Sequence, residues 1–196
     1  MADTPHTGKP LRADARRNRE RVLAAAEEVF AEGGPAASTE EVARRAGVAI
    51  GTVFRHFPTK EELVQAVFAQ RVRQLVDEAE TLSTADDAGA AFFAFFVRLT
   101  ELSIAKHAFA DVLAGAGIDV GAIGRTHPQE TSHLRAAVST LLTRAQRAGA
   151  VREDVRTPEV LTVMIGIARA AEQTPSDSQV LARVLDIVFD GLRPAR

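Results

Sequence analysis

The stretch from Ser38 to Leu63, STEEVARRAGVAIGTVFRHFPTKEEL, constrains this chain more than any other. Ser38 and Glu41 stand in the S-x-x-E spacing of a capping box, so a helix starts there. Val42, Ala43 and Ala46 give that helix one apolar face, and Gly47 is the residue suited to a left-handed cap at its end. A second short helix is expected from Ala49 to Phe57, and Pro58 stops it by removing a donor and crowding the preceding turn. Thr59 then caps a long helix. Two short helices joined by a glycine turn form a helix-turn-helix, a shape that sets its second helix into a DNA major groove.

The same residues resemble the TetR (tetracycline-repressor-like) family of bacterial regulators. The family pattern runs Thr-x-x-x-Ile/Val-Ala, Ala-Gly-Val, Gly-Thr-Leu/Val-Tyr-x-His-Phe and Lys-Glu-x-Leu. Here it reads Ser38, Val42-Ala43, Ala46-Gly47-Val48, Gly51-Thr52-Val53-Phe54-Arg55-His56-Phe57 and Lys60-Glu61-Glu62-Leu63. Phe54 stands where the family usually has Tyr, keeping the packing and losing a hydroxyl that commonly meets a phosphate. Ala49 stands where Ser is frequent and supplies no cap. The resemblance implies a homodimeric regulator, mostly repressors in this family, that binds a palindromic double-stranded DNA operator and responds to a small-molecule effector.

The remaining chain reads as helix throughout. Residues 1–12 form an expected flexible arm, 13–60 a three-helix DNA-binding domain, and 61–196 a helical regulatory and dimerisation domain. A first helix over Ala13–Glu32 repeats Val22, Leu23, Ala26, Val29 and Phe30 at helical spacing. The helix from Thr59 to about Thr81 buries Leu63, Val64, Val67, Phe68, Val72, Leu75 and Val76. The segment 88–102, with AFFAFFVRLTEL, is apolar around most of its circumference, as a buried helix is. Ile104–Ala114 continues it or forms a separate helix. A glycine-rich loop leads to Pro128–Ala148, where Leu134, Val138, Leu141, Leu142 and Ala145 face inward. Thr157 and Pro158 fit N-cap and first position of another helix, and Ser176 or Ser178 caps the last. The fold class is thus all-α, with about nine helices.

Charge adds a little. The 196 residues carry a net charge of −2, with ten Lys/Arg against eight Asp/Glu in residues 1–60 and fourteen against eighteen beyond. A mildly basic front on an acidic body suits a DNA-binding head. There is no cysteine, which excludes disulfides and thiolate metal sites. His127 and His133 are six apart, a spacing that shares no helix face, and no metal site is expected. The Gly115–Gly124 stretch lacks a phosphate-binding fingerprint, no Gly-x-Ser-x-Gly occurs, and no acid–base pair is recognisable; neither cofactor nor enzymatic activity is expected. No apolar run reaches a membrane-spanning length, so a cytoplasmic protein without membrane partners is expected.

Candidate contacts follow. On the outward side of the second short helix, Ile50, Gly51, Thr52 and Arg55 can reach base edges. Arg55 can hold a guanine bidentately or sit on a phosphate, and Ile50 prefers a methyl group. Val53, Phe54 and Phe57 are read as core. Ser38, Arg45, His56 and Lys60 are candidate phosphate contacts, since helix N-termini accept anions and a lysine in a first turn needs one nearby. Arg12, Arg16 and Arg17 can touch DNA weakly, or form pairs along their helix. Arg19 and Arg21 fit the intramolecular alternative better. In the body, Phe92, Phe93, Phe96, His107, Phe109, His133 and Met164 either line an effector pocket or fill the core. In the family, two C-terminal helices per subunit form a four-helix bundle. This makes Ile165, Ala168, Leu181, Val184, Leu185 and Val188 candidates for a dimer surface, with Met164 a candidate for either surface. A constitutive regulator without ligand, and an interaction module with a vestigial DNA head, remain the alternatives.

Overall fold

The computed structural model describes residues 8–33, 37–115, 128–173 and 178–195, and these contain eight helices and no strand. They are α1 (Gly8–Gly33), α2 (Thr39–Ala46), α3 (Ile50–His56), α4 (Lys60–Leu82), α5 (Ala88–Gly115), α6 (Pro128–Arg147), α7 (Thr157–Gln173) and α8 (Ser178–Leu192). Among the described residues, Ile104–Ala114 continues α5, a single helix of 28 residues. No glycine or proline lies between Gly89 and Gly115 to break it. Thr100, buried within α5, is satisfied on the spot by donating to the Phe96 carbonyl at 2.8 Å. Residues 8–12, expected in the arm, have helical backbone; Pro10 is tolerated because a first turn has no upstream carbonyls to lose. Residues 1–7, the expected loop to about Thr126 beyond Gly115, and His127 lie outside the described residues.

The contacts divide the chain into two compact units, Met1–Phe68 and Ala69–Arg196, with the division falling inside α4. In the first unit α1 packs on α2 and α3. Val22, Leu23, Ala26, Val29 and Phe30 of α1 are all buried, as their spacing requires, against Val42, Ala43, Ala46, Val53 and Phe57. In the second unit α5 packs on α6 and α7, with Phe92, Phe95, Phe96 and Leu99 buried. Phe189 of α8 reaches the same helix, 4.7 Å from the Phe93 ring and 5.4 Å from that of Phe96.

Three helix ends are closed by arginines from other elements. The last carbonyls of a helix have no partner within it and carry the negative end of its dipole, so a guanidinium satisfies both needs. Arg21 of α1 donates to Ala46 O at the end of α2. Arg144 of α6 donates to Leu82 O at 3.2 Å and Ala85 O at 2.8 Å, just beyond α4. At the end of α8, the Arg152 backbone N–H donates to Leu192 O at 2.9 Å, and the same residue's side chain reaches Gly191 O at 3.5 Å.

The start of α7 differs from the expected cap by one residue. Arg156, not Thr157, occupies the N-cap: its carbonyl accepts from Glu159 and Val160, and its N–H donates to the Glu159 carboxylate at 2.7 Å. The acidic residue three positions on fixes the cap, and Thr157 enters the helix.

Near the start of α5 the backbone leaves no room for a side chain. A Cβ on Gly89 would lie 2.6 Å from the Ala150 Cβ. Gly89→Ala is therefore expected to cost about 1–3 kcal/mol through overpacking, although alanine is the better helix former. Urea unfolding of the variant checks this; a higher midpoint would show that the loop carrying Ala150 yields.

Candidate nucleic-acid interface

The helix-turn-helix is built from local signals. Ser38 Oγ accepts from the Glu41 N–H at 3.2 Å, starting α2. The Glu41 carboxylate accepts from Arg44 at 2.5 and 2.9 Å, so the cap is made from the serine side. Gly47 closes α2 at φ 64°, and the N–H groups of Gly47 and Val48 return to Arg44 O and Ala43 O. Only a residue without Cβ strain takes that backbone readily. Ala49 precedes α3 with no side-chain cap. Phe57 follows α3, and Thr59 Oγ1 accepts from the Glu62 N–H at 3.1 Å to start α4.

α3 has seven residues, of which Val53 alone is buried, with Phe57 buried just beyond it. At 100° per residue, the side opposite this anchor carries Gly51 and Arg55, with Ile50 and Phe54 on one flank, and all four are exposed. Phe54 was expected in the core and is instead 43% exposed. One position past Val53, it is rotated off the buried face, and it stands at i+4 from Ile50 on the same flank. Thr52 and His56 share a half-buried flank, with the His56 ring 6.3 Å from that of Phe57. Arg55 engages in no hydrogen bond or ion pair among the described residues. Lys60 is half-buried in the first turn of α4, and Ser38 is half-buried at the start of α2.

Arg45 is placed differently from the other phosphate candidates. Its guanidinium meets Glu32 at 2.8 Å, Glu41 at 3.6 Å and Glu28 at 3.7 Å. The hydrogen bond with Glu32 raises the Arg45 pKa above its ordinary value and lowers that of Glu32. Glu28 and Glu32 tie α2 to α1 at the surface. On α1, Arg16 pairs with Glu20 at 3.3 Å and Arg17 pairs with Asp14, so both form short-range pairs along the helix. The Arg12 side chain lies outside the described residues.

Of the expected effector-pocket residues, Phe96 lines a cleft of about 310 Å³ with Arg152, Asp154, Val160 and Val163. Phe92, Phe96 and Met164 are buried core. Phe93 is half-buried between Phe189 and the Arg193 guanidinium, 5.3 Å from its ring centre. His133 stands apart on α6, exposed. It lines a cleft of about 300 Å³ with Val76, Ala79, Glu80 and Ser83 from α4 and the adjoining turn, and with Ala136, Ala137 and Thr140. The side chains of His107 and Phe109 lie outside the described residues. No group of three or more metal-ligating side chains occurs among the described residues. No described helix is long and apolar enough to cross a membrane.

Of the dimer candidates, Ile165 is 51% exposed, and Leu181, Val184, Leu185 and Val188 are half-buried. Ala168 is fully buried and completes the core of its own unit. Val163, Val180 and Ile187 are exposed as well, at 39%, 50% and 61%. Sequence reasoning missed these three. The available signal was the breadth of apolar residues on α8, wider than a single neighbouring helix can cover.

Comparison with known proteins bears on both units. Residues 22–67 match the family model for bacterial regulatory proteins of the tetR family. Residues 87–194 match the model for the C-terminal domain of SbtR-like transcriptional regulators. The crystal structure of a TetR transcription regulatory protein from Mycobacterium vanbaalenii is 40% identical, with 94% of this chain and 100% of that one covered and a TM-score of 0.73. The TetR transcriptional regulator SCO0520 from Streptomyces coelicolor is 33% identical over 91% of this chain and 99% of its own, with a TM-score of 0.74. The uncharacterized HTH-type transcriptional regulator TtgW of Pseudomonas putida is 47% identical over 64 residues, 32% of this chain. The chain spans 48% of the length of that curated relative.

Proposed function

The chain belongs to the TetR family of bacterial transcriptional regulators, and from that premise we propose that it is a homodimeric repressor released from a palindromic operator by a small-molecule ligand. One observation carries the DNA reading: α3 buries a single anchor and turns Ile50, Gly51, Phe54 and Arg55 outward together. In a major groove, Arg55 supplies a fork suited to bidentate contact with guanine, and Ile50 and Phe54 supply apolar surface. The N-termini of α2 and α4, with Ser38 and Lys60, supply N–H groups and a cation for phosphates on either side of α3. His56 adds a donor on the flank, and Arg16 and Arg17 add weak non-specific contact. Arg45 is left out of this set because carboxylates surround its guanidinium.

One seven-residue reading helix buries too little surface for tight, specific binding, and a second copy reading a second half-site supplies the rest. Exposed Val163, Ile165, Val180 and Ile187 on α7 and α8 support a self-association surface. Ligand response is supported by the cleft against α4, the helix whose first turn carries Lys60. A ligand that binds one arrangement of α4 more tightly than another shifts the population toward it.

The test is a pair of substitutions read against salt. Lys60→Ala is expected to weaken operator and unrelated DNA alike. It should flatten the slope of log K against log salt by about 2, one phosphate contact per subunit. Arg55→Ala is expected to leave unrelated DNA unaffected and to cost about 1–3 kcal/mol per half-site on the operator. Unchanged operator affinity in both variants would remove the DNA reading at these positions.

A further inference from the structure

α1 holds the segments that flank the reading helix through two arginines. Arg21 Nη2 donates to Ala46 O at 2.5 Å and to Gly47 O at 3.2 Å. These carbonyls belong to the last residue of α2 and to its left-handed cap. The Ala43 and Arg44 carbonyls just upstream are already taken by the N–H groups of Val48 and Gly47. Two residues earlier on α1, the Arg19 guanidinium lies 5.2 Å from the centre of the Phe57 ring. Arg21 therefore holds the turn through which the chain enters α3, and Arg19 holds the residue at which it leaves. α3 supplies little of this itself. It is seven residues long, lacks a side-chain N-cap and buries only Val53. A helix that short has no independent stability and takes its orientation from its supports. The fit at the turn is close as well: a Cβ on Gly47 would lie 2.8 Å from Arg21 Nη2, so the guanidinium occupies space that a bare α-carbon leaves.

We propose that Arg21, with Arg19 as its counterpart, is a positioning residue for sequence reading: it sets the orientation of α3 and touches no DNA. The proposal rests on the reading of α3 as the groove-binding helix. Ser38 and Lys60 lie outside α3, so phosphate contacts survive its misorientation, while base contacts do not.

The experiment is fluorescence anisotropy of the wild type, Arg21→Ala and Arg21→Lys on an operator fragment and a scrambled duplex, across a salt series. Arg21→Ala is expected to lose about tenfold in operator affinity, the worth of one well-made base contact. Affinity for the scrambled duplex and its salt slope should stay as in the wild type, whereas general destabilisation would lower binding to both. Arg21→Lys keeps the charge but offers a point donor in place of the fork, and is expected to lose selectivity by a smaller factor. Wild-type operator affinity in Arg21→Ala would overturn the proposal. So would equal losses on both duplexes with the slope flattened by about 2, the mark of a direct phosphate contact from each subunit. If Arg21→Ala does not fold, Arg21→Lys decides: reduced selectivity at an unchanged slope supports positioning, and wild-type selectivity overturns it. A wild type that binds both duplexes alike would instead remove the DNA reading on which the proposal stands.

Discussion

Ile187→Asp is expected to leave each subunit folded, split the dimer, and lower operator affinity by about a hundredfold or more, since linked binding sites gain roughly that much from acting together. Ile187 is 61% exposed, the most exposed of the large apolar side chains among the described residues. Replacing it removes little buried surface within its own subunit, so the change in subunit stability should stay within about 0.5–1 kcal/mol. In a symmetric dimer the same patch meets its own copy, and two carboxylates would be buried close together without partners. Sedimentation at micromolar concentration and binding to the full and half operator provide the measurement. A dimer that survives Ile187→Asp, with unchanged operator affinity, would place the self-association surface elsewhere.

Gly51→Leu is expected to move stability and DNA binding in opposite directions. A glycine inside a helix costs about 1 kcal/mol relative to a good helix former. No internal contact requires the glycine here, because a Cβ at position 51 meets nothing within 4 Å. Leucine should therefore stabilise the folded head by roughly 0.5–1 kcal/mol. On the outward face of α3, however, its side chain would stand where the groove floor must come close. Operator binding is expected to fall to the level of unrelated DNA, a loss of about a thousandfold or more. Phosphate contacts lie off this face, so non-specific binding and its salt slope should persist. Improved stability with undiminished operator binding would mean that this side of α3 does not enter the groove.

The parts of this fold that could be read from sequence are those set by local chemistry. Ser38, Gly47, Pro58 and Thr59 each act within a few residues, and the helix boundaries around them appear as expected. The apolar wrapping of α5 likewise announced its burial. The surroundings of other positions depend on partners distant in sequence. Phe54 looks like core until α1 and α2 are seen to cover one side of α3 only, leaving it 43% exposed. Ala168 and Ile165 lie three apart on α7, yet one is fully buried and the other 51% exposed, because α5 covers one edge of the helix. Arg45, a candidate phosphate contact, meets three carboxylates, and two of them come from α1. Phe92, Phe96 and His133 are all plausible pocket residues by type. Phe92 and Phe96 are buried on α5 and His133 is exposed on α6, a difference set by how these helices pack.

Selection of bound fragments from sheared genomic DNA by the purified protein tests the central claim most directly. A homodimer reading DNA through α3 predicts recovery of a palindrome whose half-sites are spaced about one helical turn apart, or a small multiple of it. No enrichment by folded protein, repeated after unfolding and refolding to strip any bound effector, would contradict it.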